Sequence, residues 1–275
     1  MSASNSPVTN DSPVAIVTGA TSGIGKSTAI FFARKGYQLS LSGRDEVAMA
    51  KTVRACIDAG LSQQAQLVSP PHLLQITTTV GDLREESIAR EVINHTIEKF
   101  KKINVLVNCA GVLCNGTVED ASIADYDRIF DINVRSVVQL TKFAIPHLKQ
   151  TKGTVVNVSS VAGPCAFPGV SYYCMSKAAL DSFTKCLALE LAPSGVRVNA
   201  VNPGVIVTDV HKRSGMSDAE YEKFLERGKA THALGRVGLA DEVAEAIYFL
   251  ASSASSFTTG HLLSVDGGRG ITTPR

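Results

Sequence analysis

No apolar run in the sequence approaches the roughly 20 residues that a membrane-spanning helix needs. None of the six cysteines pairs with another as Cys-x-x-Cys, and no two of the six histidines stand at a helical metal-ligand spacing. No metal site is expected. Charge of one sign is lacking too. Lys and Arg number 27 and Asp and Glu 25, a formal net charge of +2. That field is too weak to gather nucleic acid or an anionic membrane, and no interleaving of basic and aromatic residues appears. The local run Lys99, Lys101 and Lys102 ends an amphipathic helical pattern and reads as a solvated helix terminus.

The first dozen residues are rich in Ser, Asn and Pro, with neither a signal peptide's apolar stretch nor an arginine. Residues 1–12 are expected to form a disordered tail. The cysteines lie partly inside apolar runs, which points to reduced thiols and a cytoplasmic location. At 275 residues and 44% hydrophobic, the chain can bury a large core.

Short β-branched runs alternate with helical periodicity. Strands are expected at 14–17, 37–42, 76–80, 105–107, 154–158, 196–201 and 262–265. Helices are expected at 26–35, 87–100, 125–148, 173–191 and 242–250, the second with Ile88, Val92, Ile93, Ile97 and Phe100 on one face. Strands apolar on both faces, alternating with helices, predict one α/β domain over 13–275: a doubly wound, Rossmann-type parallel sheet with helices on both faces. Residues 67–75, with Pro70 and Pro71, read as a loop. The polar segment 207–235 follows the sixth strand, at the sheet edge where ligands bind, and is the expected substrate lid.

The turn Thr18-Gly19-Ala20-Thr21-Ser22-Gly23-Ile24-Gly25 joins the first strand to the first helix. Glycines there let the backbone approach a pyrophosphate, which the helix N–H groups and dipole would face. The second strand ends at Ser42-Gly43-Arg44, with no acid for a ribose hydroxyl and a guanidinium suited to a phosphate; Ser22 is a further donor. NADP(H) is therefore expected over NAD(H). Tyr173 and Lys177 stand four apart on one helix face, and Ser160 closes a strand at its carboxyl edge. Phe167, Val170 and Leu234 are expected to give the pocket apolar walls. Glu85 with Glu86, and Asp241 with Glu242, read as dipole-favourable residues near helix starts.

With Asn108-Cys109-Ala110-Gly111, Asn133, Pro203-Gly204, Thr208 and Asp266-Gly267-Gly268 in this order, the chain resembles the short-chain dehydrogenase/reductase family from about residue 14 to 268. Within that family it looks most like 3-oxoacyl-carrier-protein reductases and carbonyl reductases. The resemblance implies an oxidoreductase interconverting a small-molecule carbonyl and a secondary alcohol, with Asn133, Ser160, Tyr173 and Lys177 as the catalytic set. It implies dinucleotide contacts from Gly19, Ser22, Gly23, Ile24, Gly25, Arg44, Asp82 and Leu83. It adds Asn108, Ala110, Gly111, Tyr173, Lys177, Pro203, Gly204, Val205, Ile206 and Thr208. Asp82 would meet the adenine; its other reading is a helix N-cap. Tyr173 would be the general acid/base, its pKa lowered by the Lys177 cation and the oxidised nicotinamide, with Ser160 steadying the carbonyl oxygen. Asn133 would support a water relay to Lys177. A homotetramer is implied as well. A 3-oxoacyl thioester reductase of fatty-acid synthesis, or a non-catalytic dinucleotide sensor, are the other readings. Cys109 departs from the family's usual Asn at that position, which puts local strand support in question.

Overall fold

A computed structural model describes residues 12–64 and 74–272. All of the expected tail but Ser12, and most of the proline-containing loop, lie outside them. Seven strands form one parallel sheet in the order β3-β2-β1-β4-β5-β6-β7. They are β1 (Val14–Thr18), β2 (Gln38–Gly43), β3 (Ile76–Val80), β4 (Val105–Asn108), β5 (Thr154–Val158), β6 (Arg197–Pro203) and β7 (Leu262–Val265).

All five residues of β1 are buried, as are all four of β4 and all five of β5. Burial on both faces is why these strands read as continuous apolar runs. Ala15 and Val17 face one layer, with Phe32 of α1 (Gly23–Arg34) and Ile247 of α9 (Ala240–Ala251). Ile16 faces the other, with Val92 of α3 (Glu86–Phe100), Leu140 of α5 (Ser136–Thr151) and Leu187 of α6 (Ser171–Leu191). The expected doubly wound architecture is present.

Several elements depart from the sequence pattern. α2 (Glu46–Gln64) fills a stretch where no helix was expected. The single helix expected at 125–148 is α4 (Ile123–Phe130), a π-helical turn over Asp131–Arg135, and then α5. The wider turn carries Asn133, whose Oδ1 accepts from Val112 N at 2.8 Å while its Nδ2 donates to Val112 O at 2.9 Å. Two helices lie inside 207–235: α7 (Val210–Arg213) and α8 (Asp218–Thr231), the latter opened by a Ser217–Glu220 capping box. This excursion is pinned at its base. Val207 N donates to Gly238 O at 2.9 Å, and buried His232 accepts from Val205 N at 3.1 Å while donating from Nδ1 to Gly228 O at 2.6 Å.

Arg197, at the start of β6, closes the far end of the sheet. Its guanidinium donates to Leu250 O at 2.9 Å, Ser252 O at 3.1 Å and Ser255 Oγ at 2.9 Å, capping α9. Arg197→Met removes these charged hydrogen bonds, leaving Leu250 O and Ser252 O to the Ser255 hydroxyl, and is expected to lower unfolding stability by about 2–3 kcal/mol in denaturant titration. A change below about 0.5 kcal/mol would contradict that role.

Candidate active site

The carboxyl ends of the strands open into a cavity of about 1080 Å³. At its β1 end, Gly19 has φ +64° and its backbone meets the turn after β4: a β-carbon there would lie 2.9 Å from Ala110 Cα. A β-carbon on Gly25 would lie 2.3 Å from Gly19 O, so the turn closes only with glycine at both places. Ser22 is the N-cap of α1, but its side chain makes no capping bond, which leaves it free toward the cavity. Free amides at a helix N-terminus, under a cradle that β-carbons would fill, fit a pyrophosphate.

Gly19, Ser22, Gly23, Ile24, Gly25, Arg44, Asp82 and Leu83 all line this cavity. Arg84, which sequence reasoning did not single out, lines it too and holds Asp82, with Nε at 3.0 Å and Nη2 at 2.8 Å from Oδ2. That guanidinium pulls the Asp82 carboxyl below its ordinary range. Glu85, not Asp82, is the N-cap of α3. Arg44 stands 4.0 Å from the same carboxylate and is largely exposed. Asp45, the next residue, spends its carboxylate on Ala48 N at 2.9 Å.

At the β4 end, Ala110 and Gly111 line the cavity, but Asn108 does not. Its side chain turns into the sheet, where Nδ2 donates to Thr141 Oγ1 at 3.0 Å and Asn157 Oδ1 at 2.9 Å. Asn157 donates in turn to Thr184 Oγ1 at 2.9 Å. The Asn108 side chain thus ties α5 and α6 across β4 and β5, in place of the dinucleotide contact expected for it. The Cys109 question has a backbone answer. Thr18 Oγ1 accepts from Cys109 N at 2.9 Å and Ala110 N at 3.0 Å, so this turn is held by β1 whatever side chain residue 109 carries. Burial pushes the Cys109 thiol up to about 12, against the opposing pull of Lys177, so it stays protonated and unreactive near neutrality.

Ser160, Tyr173 and Lys177 line the same cavity, whereas Asn133 is fully buried behind it. Burial raises the Tyr173 phenol above its ordinary value, with the Ser160 hydroxyl opposing. The direction is upward, where the sequence reading has Lys177 and the oxidised nicotinamide together lowering it. Lys177 Nζ donates to Val158 O at 2.8 Å and stands 5.7 Å from the Tyr173 ring centroid. Burial also brings Lys177 down to about 8. One turn further along α6, buried Asp181 accepts from Asn202 at 3.1 and 3.3 Å. Its place on the apolar face of α6, four residues after Lys177, was the sequence signal for it.

Pro203, Gly204, Val205, Ile206 and Thr208 line the cavity beyond β6. Tyr221 of α8 clamps Thr208, its hydroxyl accepting from Thr208 N at 3.2 Å and donating to Thr208 O at 2.9 Å. Phe167 and Val170 form part of the wall, as expected. Leu234 does not: it is 68% exposed and borders a separate smaller cleft, because Gly235 (φ +69°) turns the chain away.

Two measurements check these assignments. Asn108→Ala is expected to lower stability by about 1–3 kcal/mol, because it leaves Asn157 and Thr141 short of a partner; a variant of unchanged stability that has lost dinucleotide binding would reverse the assignment. Burial brings Lys177 from the ordinary 10.5 of an unfolded chain down to about 8, so the unfolded chain binds the extra proton between those pH values and stability rises with pH across that window. The stability of the wild type minus that of Lys177→Met should therefore increase from pH 7.5 to 10; a flat or falling difference would contradict burial of the ammonium.

A family profile described as enoyl-(acyl carrier protein) reductase matches residues 19–269. A 3-oxoacyl-[acyl-carrier-protein] reductase of Thermotoga maritima is 35% identical over 93% of this chain and 96% of its own. The meso-2,3-butanediol dehydrogenase of Serratia marcescens is 34% identical over 94% of each chain. A short-chain dehydrogenase/reductase from Caenorhabditis elegans, solved with cofactor, superposes with a TM-score of 0.87 at 35% identity, covering 96% of this chain and 97% of its own. An actinorhodin polyketide ketoreductase solved with NADPH gives 0.85 at 28% identity, covering 96% and 99%. With the glycine cradle, Ser160, Tyr173 and Lys177 around one cavity, this chain is an oxidoreductase of the short-chain dehydrogenase/reductase family.

Proposed function

We propose that the protein is an NADP(H)-dependent oxidoreductase that interconverts a carbonyl and a secondary alcohol, with Tyr173 as general acid/base. The observation that carries the reading is the convergence of Ser160, Tyr173 and Lys177 on one cavity wall across from the glycine cradle. When bound, the nicotinamide supplies hydride to the carbonyl carbon and takes it back from the alcohol.

The chain's own groups manage the oxygen. Ser160 Oγ accepts from Ala162 N at 3.1 Å, which directs its hydroxyl proton outward to a carbonyl oxygen. The raised phenol of Tyr173 holds its proton at neutral pH and delivers it to that oxygen as the charge develops. Lys177, cationic below about pH 8, then steadies the tyrosinate left behind, besides offering donors to ribose hydroxyls. Both Nδ2 hydrogens of Asn133 are used, on Val112 O and Ser176 Oγ at 3.1 Å, and Oδ1 accepts from Val112 N, so the second lone pair of Oδ1 is what the amide can offer a relay water. Residues 207–235 serve as the substrate lid, held by Tyr221 and His232.

Arg44 supports NADP(H). Asp82 is already neutralised by Arg84 at 2.8 Å, and Asp45 caps α2, so the Arg44 guanidinium is available to a 2′-phosphate. The ketoreductase solved with NADPH supports the same preference. The 3-oxoacyl-carrier-protein relative favours a second reading, a thioester reductase. Exposed apolar residues on α4 and α6, Ile123, Met175 and Leu189, support a homotetramer of four 29.0 kDa chains. The six free thiols favour the cytoplasm.

NADPH and NADH oxidation over ketones, diketones, quinones, steroids and 3-oxoacyl thioesters tests this. NADPH should be preferred, and Arg44→Ala should erase the preference; NADH preference would overturn the role of Arg44. Activity on thioesters alone would select the second reading. Tyr173→Phe should lose at least about 100-fold in kcat while keeping fold and dinucleotide affinity; substantial retained turnover would remove Tyr173 from the chemistry. Because reduction needs the protonated phenol, kcat/KM for reduction should fall at alkaline pH and that for oxidation should rise; the opposite slopes would exclude Tyr173 as the acid.

A further inference from the structure

The cavity is also lined by three cations, Arg269, Lys223 and Arg227, that form no ion pair among the described residues. Arg269 follows β7 and the Asp266-Gly267-Gly268 turn. Its guanidinium lies over the Phe167 ring, 4.9 Å from the centroid, and Nη1 donates to Thr231 Oγ1 at 2.8 Å. It thereby bridges the segment after Ser160 to the end of the lid helix α8, and it lines the cavity together with Ser160 and Tyr173. One face is stacked and one N–H is used. The remaining donors have no acceptor among the described residues, so the open edge of the fork is left to the cavity.

The nearby acids are engaged elsewhere. Asp266 accepts from Gly268 N at 3.0 Å and Gly270 N at 2.7 Å. Asp209 faces Arg213 at 4.0 Å, and Glu220 accepts from Ser217 N at 2.9 Å as the capping box of α8. Lys223 and Arg227 of α8 line the same cavity and form no ion pair among the described residues. His211, held down to about 4 by burial and by Arg269, stays neutral and adds no charge to them. A half-buried guanidinium that feels the Asp266 carboxylate but forms no ion pair among the described residues is costly, and a bound oxyanion would relieve that cost. The same cavity is lined by Phe167, Val170, Met216 and Phe224, which suits a short aliphatic chain.

We propose that the substrate carries a carboxylate or phosphate remote from its reacting carbonyl, and that Arg269 receives this oxyanion, with Lys223 and Arg227 adding to the field. This rests on the carbonyl-reductase reading of the cavity. A charged anchor of this kind fixes the substrate's register, so it acts on selectivity.

The test compares hexanoate, hexyl phosphate and hexanamide by calorimetry on protein saturated with its oxidised dinucleotide, in wild type and Arg269→Gln. In the wild type at least one anion should bind about 10-fold or more tightly than the amide, and in Arg269→Gln that ratio should fall to about one. Whichever anion binds tighter names the oxyanion. Equal binding of all three overturns the proposal, as does an anion preference that survives in Arg269→Gln. Loss of the dinucleotide in that variant would assign the guanidinium to the cofactor and overturn it equally. If the Gln variant does not fold, Arg269→Leu and the loss of the wild-type preference with rising chloride decide the matter by the same criteria. The readout is binding, so failure of carbonyl turnover and failure of the anion preference are separate results.

Discussion

The turns after β1 and β4 approach each other so closely that a β-carbon on Gly19 would meet Ala110 Cα at 2.9 Å, and Thr18 Oγ1 fastens both amides of the second turn. The rest of the site depends on that approach. It sets the anion-binding end of α1 beside Gly111, where a β-carbon would lie 3.6 Å from Lys177 Nζ. The dinucleotide cradle and the acid/base helix thereby share one cavity. The contact is between backbones, which is why side-chain identity at Cys109 matters little to it.

A second layer of polar groups keeps α5 and α6 in register with the strands. The chain from Thr141 through Asn108 and Asn157 to Thr184 crosses two strands through bonds of 2.9 to 3.0 Å, and Asn133 grips Val112 from the π-helical turn. Buried polar networks of this kind specify geometry where an apolar contact would let α6 slide. The cost falls on the ionisable groups: burial raises Tyr173 and lowers Lys177, so each is pushed toward its neutral form before any ligand binds.

The strands of this fold were legible because burial on both faces leaves short runs rich in β-branched residues, as in Val14–Thr18 and Thr154–Val158. The site's backbone was legible through its glycines and the Tyr173–Lys177 spacing. Side-chain direction was not. Asn108 has the position of a ligand contact, yet it points into the sheet, and Leu234 leaves the wall at a left-handed glycine. α8 escaped periodicity because it buries only Tyr221 and Gly228, and the π turn has no residue that marks it. Arg84 and Arg269 stood outside any motif, so their roles emerged only from what surrounds them.

The central claim is hydride transfer in this cavity, and tracing the label tests it most directly. With NADPH deuterated at C4 of the nicotinamide and a ketone the protein reduces, the account predicts an alcohol carrying one deuterium on its carbinol carbon, read by mass spectrometry. Alcohol formed without that deuterium from either C4 position, or a tightly bound dinucleotide that never yields its label to any carbonyl, would contradict it.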